Sequence, residues 1–267
     1  MAYLTVASGE GDLAVAVGVE KMSDGGVTPV MAKALDAERE VPEDGLINFA
    51  VKTRRNARHN PNARFRERTF NARQVRASRM VYPPLRLMDC SPICDGAAAV
   101  VLAPQQEARA FTSQPVHILA SSVATDRFRI DDRDDPLRLE ASFQSAQEAF
   151  RRANVNREDV SFFELHDAFS IMACLLLEAV GFAEAGECWR LAAEKAIWLR
   201  GRVPVATMGG LKARGHPIGA TALYQTCEIV LQLTGRAGKN QLRNPKIGLL
   251  QSVGGAASTV LTHLFGV

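Results

Sequence analysis

Two segments of this chain are near copies of one another, and the copying is lopsided. Residues 95–102 (DGAAAVVL) match residues 254–261 (GGAASTVL). A short apolar run stands ahead of each, at 12–19 and 246–252, and reads as a buried strand. Ahead of each run lies a helix end closed by glycine, at 4–9 and 231–235. Self-similarity of this kind predicts two structurally equivalent halves. The second half carries two further strand–helix units and a central helix that the first half lacks. The repeat therefore predicts a first half without its front. Strands alternate with helices throughout, which defines an α/β chain.

Residues 209–221 (GGLKARGHPIGAT) lead into an apolar run ending near Leu233. Gly209, Gly210 and Gly215 open backbone conformations closed to other residues. Pro217 suits the first turn of a helix, predicted over about 217–234. His216 then stands at the helix mouth, where unpaired N–H groups gather positive potential. The helix is apolar on most sides and is expected to be central. A titratable ring in this setting is a candidate catalytic group; a turn-capping histidine is the plainer reading.

A second candidate follows the strand expected at 160–165 (VSFFEL). His166, Asp167, Ala168, Phe169 and Ser170 come next, before an apolar helix over about 171–180. Strand, tight turn and helix place such residues at the carboxyl edge of a sheet, where α/β proteins bind ligands. Residues 141–153 read as an amphipathic helix with Phe143, Ala146 and Phe150 on one side, and 183–202 as a helical excursion. The run 97–102 reads as a fully buried strand.

Between 22 and about 85 the periodicity breaks and arginines crowd together. Arg54, Arg55, Arg58, Arg64, Arg66, Arg68, Arg73, Arg76 and Arg79 have only Glu67 among them as counter-charge. Few aromatics interleave them (Phe65, Phe70), so a base-stacking nucleic-acid surface is not supported. The functional reading is a solvated basic face that meets a nucleotide phosphate; the plain reading is solvated surface. Net charge is only +3, too small to imply a polyanionic partner. Five cysteines without regular spacing do not form a disulfide framework, and Cys90 and Cys94 lack the second pair that zinc needs. No metal site is expected. No apolar run approaches the roughly 20 residues that span a bilayer. Without a leader pattern either, the default location is the cytoplasm.

The run 209–221 resembles the C-terminal histidine motif of thiolases, in particular the sterol-carrier-protein type. The resemblance extends along nearly the whole chain: 11–23 resembles the strand entering the family's loop domain, and 91–102 its return strand. His166-Asp167-Ala168-Phe169 resembles the family's Asn-Glu-Ala-Phe or His-Asp-Cys-Phe motif. It implies a five-layered α/β/α/β/α fold of two pseudo-repeated halves, the first incomplete. The halves would divide at 1–103, with a loop domain over about 22–88 covering coenzyme A, and 104–267. It implies a coenzyme A thioester as substrate, with no covalently bound cofactor. His216 and His166 would be catalytic, and Gly209, Gly210, Gly215, Gly219, Ser252, Gly254 and Gly255 would line the substrate site.

Two departures stand out. The family's acyl-accepting cysteine would lie upstream of Met1. The family's second cysteine, in a Cys-x-Gly-Gly segment, is replaced by Ser252 in Ser252-Val253-Gly254-Gly255. The implied activity is thiolytic cleavage or Claisen condensation of a 3-ketoacyl-CoA, impaired for want of the nucleophile. Two alternatives remain. One is a cysteine-less retro-aldolase of sterol side-chain breakdown with a small OB-fold partner and a tyrosine (Tyr3, Tyr82 or Tyr224) as acid–base group. The other is a non-catalytic subunit that binds CoA esters. A homodimer or tetramer is expected in each case.

Overall fold

The computed structural model describes residues 2–20, 42, 45–82 and 85–267. Part of the expected insertion, residues 22–41, lies outside the described residues. The chain opens with α1 (Ala2–Ala7) and β1 (Ala14–Glu20). Next come α2 (Ile47–Ala57), α3 (Ala72–Arg76), and a small hairpin of β2 (Met80–Tyr82) and β3 (Leu85–Arg86). Strand β4 (Gly96–Leu102) returns antiparallel to β1, with Ala14 opposite Leu102 and Glu20 opposite Gly96. After α4 (Ala108–Phe111) the second half runs β5 (His117–Thr125), α5 (Glu140–Ala153), β6 (Phe162–Glu164), α6 (Ser170–Val180), α7 (Cys188–Ala193), α8 (Gly210–Ala213) and α9 (Thr221–Leu233). It closes with β7 (Ile247–Gly254) and β8 (Thr259–Gly266).

The second half forms a four-stranded sheet in the order β5-β8-β7-β6, with β6 parallel to β7 and the other pairs antiparallel. A parallel bridge from Phe163 to Val205 extends it beyond β6. Helix α5 packs on β5 and β8, and α9 packs on β7 on one side and on β4 and β1 on the other. The layers are thus α5, the four-stranded sheet, α9, and the β1–β4 ribbon. Helix α6 is apolar all round because it is enclosed on all sides, as Met172, Leu176 and Leu177 show. It stops at Gly181, whose φ of +88° makes the left-handed turn that ends helices.

The hairpins β1/β4 and β7/β8 are the two copies of the repeat, but the matching letters do not occupy matching places. Residues 96–102 are all strand, whereas 255–258 form the tight turn into β8. Nor is β4 fully buried. Its residues alternate between half-buried and exposed. Val15 stands opposite Val101, Val17 opposite Ala99 and Val19 opposite Ala97 on one outward face. The valines there are 57–65% exposed. An apolar run signals a buried strand only when a layer covers both faces, and here only the face toward α9 is covered.

Other expectations shift as well. Helix α9 begins at Thr221, after a 3-10 turn at Ile218–Ala220, so His216 precedes it by a loop rather than sitting at its mouth. Its buried side includes Gln225, Glu228 and Gln232, while Leu223, Val230 and Leu231 are half-buried. On α5 the inward residues are Ala141, Ser142, Ser145, Ala146 and Ala149, and Phe143 is exposed. Small residues there let the helix sit close to the sheet. Within 183–202 the α-helix is confined to α7. Contrary to the expected absence of pairing, a disulfide joins Cys174 on α6 to Cys188 on α7, with Cα atoms 5.4 Å apart. Spacing along the chain carries no signal for such a pair.

Candidate active site

The strand registers place the candidate segments on one edge. Glu164 pairs with Leu250, so two more residues along the parallel strands put His166 level with Ser252. The bridge from Phe163 to Val205 sends the chain past Thr207 to Gly209 at the same edge. His166, the 209–216 loop, and the end of β7 with Ser252 and Gly254 all leave the sheet by its carboxyl side. Gly255 lies in the turn beyond, and Gly219 is exposed in the 3-10 turn ahead of α9.

The structure brings His166 and His216 together, with ring centroids 5.0 Å apart and the planes edge-on at 88°. His216 Nδ1 lies 2.7 Å from Thr221 Oγ1. That hydroxyl donates its one proton to the Pro217 carbonyl at 3.0 Å. It therefore accepts from His216, which assigns the proton to Nδ1 and leaves Nε2 as a bare base. Burial, with Arg214 adding, lowers the His216 pKa to about 4. Burial also holds His166 well below the usual histidine range, with His216 and Arg214 adding to the effect. Both rings are neutral at pH 7. In histidine-selective 15N spectra, His216 should show a neutral ring protonated at Nδ1 from pH 8 down to pH 5. A Nε2–H tautomer would overturn the assignment.

The loop carrying His216 is fastened from beneath. Asp167 Oδ1 accepts the Leu211 N–H at 2.7 Å, and Lys212 Nζ lies 3.6 Å from Oδ2 with both side chains 1% exposed. Gly210 has φ +58°, and a Cβ there would collide with the Asp167 carboxylate. Gly210→Ala should therefore cost at least about 1–2 kcal/mol from the backbone alone, read as a lower urea midpoint. Gly215 has φ +125°, and a Cβ there would meet Cys94 Sγ at 2.7 Å. The Cys94 thiol accepts the His216 backbone N–H, yet burial still pushes its pKa up. Cys90 is pushed up to about 11, by burial first and Asp89 next. Neither is a ready thiolate.

Below the loop lies a set of buried charges that patterning did not foretell. Lys52 on α2 is fully buried and donates to the Val205 carbonyl. Burial lowers its pKa to about 7, opposed by Asp167 and Glu164. Glu164 accepts from the Thr207 N–H at 2.8 Å and from its hydroxyl at 2.6 Å. Arg214 reaches Glu228 at 3.2 Å. The one available signal was in the motif itself, where Lys212 and Arg214 interrupt small and apolar residues. The arginine-rich stretch is also less solvated than expected. Arg54 is buried, its guanidinium 3.5 Å from the Phe65 ring centroid and 4.9 Å from that of Phe70. Arg58 and Arg66, with His59, do line an open cavity on that segment.

An edge-on histidine pair at the carboxyl side of one sheet, with α9 packed between that sheet and the β1–β4 ribbon, is the layout of a layered α/β protein. Residues 122–267 match the family model described as thiolase C-terminal domain-like. An acetyl-CoA acetyltransferase of Methanothermobacter thermautotrophicus is 40% identical over 286 residues, spanning 98% of this chain and 74% of that relative. The chain belongs to the thiolase family. Among solved structures, one titled Ltp2-ChsH2(DUF35) aldolase superposes with a TM-score of 0.90 at 21% identity, covering 99% of this chain and 75% of its own. The SCP2-thiolase like protein type 1 of Mycobacterium smegmatis superposes with a TM-score of 0.73 at 19% identity, covering 98% and 57%. Both likenesses bear on the fold. Among the described residues no helix is long and apolar enough to cross a membrane.

Proposed function

We propose that this chain supplies the histidine side of an acyl-CoA site that cleaves or forms 3-ketoacyl thioesters. The observation that carries the reading is the bare Nε2 of His216, held by Thr221 and set edge-on to His166 at 5.0 Å. Nε2 takes the proton of the attacking thiol, and the thiolate adds to the ketone carbon. The carbon–carbon bond breaks, and the enolate oxygen is met by N–H donors from the two rings. Burial pushes the Cys90 and Cys94 thiols up, so neither is suited to be the attacking sulfur. Gly209, Gly210 and Gly215 are buried against Ala57, Asp167 and Cys94 and shape the loop instead of meeting the substrate, while Gly219, Ser252, Gly254 and Gly255 give the thioester a close backbone approach. The loop domain, about 22–88, would meet the nucleotide through its described residues from 45 onward, and the halves divide at 103/104. The assembly is a homodimer or tetramer.

A second reading has one observation in its favour: Tyr224 lines a cavity beside Gly215 and Pro217, on either side of His216 in the chain. A phenol there suits proton transfer in a retro-aldol cleavage, which needs no sulfur nucleophile and would take an OB-fold partner. Product analysis separates the two. The acyltransferase consumes 3-ketoacyl-CoA only when free CoA is present. The lyase splits β-hydroxyacyl-CoA into a carbonyl product and a shorter thioester without it. Tight CoA-ester binding with neither turnover leaves the chain as a binding subunit.

A further inference from the structure

Helix α6 carries a single charged residue, Glu178. It lies four residues after Cys174, so the two side chains share one face of the helix. That face meets α7, where Cys188 opens the helix and is bonded to Cys174. Glu178 Oε1 accepts the N–H of Gly186 at 2.9 Å and that of Cys188 at 3.3 Å. These contacts fix the carboxylate beside the sulfurs without help from the S–S bond. The two Sγ atoms and a Glu178 oxygen all lie within 4.8 Å of one another. Both cysteines are buried, and Glu178 is half-buried. Capping the loop ahead of α7 accounts for the hydrogen bonds of Glu178, but not for two sulfurs at its side. With the S–S bond open, the three side chains become a donor set. Two thiolates and a carboxylate oxygen suit zinc, whose bonds run about 2.3 Å to sulfur and about 2.0–2.2 Å to oxygen. Tetrahedral geometry then sets the donors roughly 3.5–4 Å apart, inside the observed span. Rotation about the cysteine side chains separates the sulfurs that far while the helices stay in place, their Cα atoms 5.4 Å apart.

We propose that reduced Cys174 and Cys188, with Glu178, bind one zinc ion, water taking the fourth position on the half-buried Glu178 side. A dithiol or phosphine reductant supplies the two electrons that open the disulfide, and each sulfur takes up a proton. Zinc displaces both protons on binding. The α6–α7 cross-link then persists in either redox state, as a disulfide or as a metal bridge. Chain spacing does not reveal the set, because its sulfurs come from different helices.

The test reduces the full chain with a phosphine, removes the excess under nitrogen, and titrates zinc against a chromophoric chelator. One zinc per chain should bind, and the melting temperature should rise by several degrees, an effect that EDTA reverses. Cobalt(II) in its place should give the intense near-ultraviolet band of thiolate-to-cobalt charge transfer. The oxidised chain should bind neither ion. Losing even an outer-shell partner of a metal costs about 10–100-fold in affinity, so Cys188→Ser should weaken zinc binding at least about a hundredfold and Glu178→Gln at least about tenfold. Cys188→Ser leaves Cys90, Cys94 and Cys227 in place, so it separates this site from zinc held by the other thiols. Should that variant fail to fold, Glu178→Gln decides, since it keeps the disulfide and an oxygen for the two N–H groups. The proposal is overturned if the reduced chain takes up no zinc, if the cobalt spectrum lacks the thiolate band, if the oxidised chain binds zinc as well, or if either variant binds it as tightly as the parent.

Discussion

His216→Ala is expected to abolish whatever thioester turnover the chain supports, a loss of up to roughly a thousandfold, while leaving the melting temperature within a few degrees of the parent. The ring is at once the base that generates the nucleophile and a donor to the enolate oxygen. General-base catalysis contributes about 10²–10⁴-fold, and one oxyanion donor about 10²–10³-fold. The two overlap because one ring performs both tasks, so the losses do not multiply. The fold should tolerate the change, since the ring's hydrogen bond is local, to Thr221 at the start of α9. Removing it leaves the Thr221 hydroxyl donating to the Pro217 carbonyl as before. Steady-state kinetics beside a thermal melt check this. Unchanged kcat would remove His216 from the chemistry, and a collapsed melt would make it a structural residue.

The second large effect is on stability. Asp167→Ala should destabilise the chain by about 3–5 kcal/mol, because it strands a buried cation. Lys212 sits 3.6 Å from the carboxylate, and the same carboxylate helps the buried Lys52 keep its charge. Asp167→Asn should fall between the two, keeping an oxygen for the Leu211 N–H while losing the charge. Urea denaturation at pH 7 measures both. Losses under about 1 kcal/mol in the alanine variant would mean that the lysines are neutral or wet, contrary to their burial. Because the anchored loop carries His216, the asparagine variant should also lose activity beyond what its stability explains.

How far the sequence foretold this can be seen in single elements. The 209–221 run was legible because its unusual residues are contiguous: adjacent glycines, then His216 and Pro217. His166 was legible from a short apolar strand ending in a polar turn. Those signals are local, so one chain segment holds the whole message. Burial of β4 was misread because AAAVV describes the strand and not its surroundings. Exposure of Val15, Val17 and Val101 depends on what lies over the ribbon. Lys52 was hidden among arginines that read as surface. Its burial depends on Asp167 and Val205, which the fold brings from far along the chain. Cys174 and Cys188 meet only because α6 and α7 pack together.

The inner face of α9 has a further consequence. Gln225 donates to the carbonyls of Glu164 and Leu165, Gln232 to that of Asn240, and Glu228 accepts from Arg214. An oily face could settle at several rotations with little change in energy. These amide and carboxylate contacts each accept one azimuth and one height, so they index the rod against the β6 end as teeth index a gear. Thr221, in the first turn of that rod, passes the setting on to the imidazole it holds.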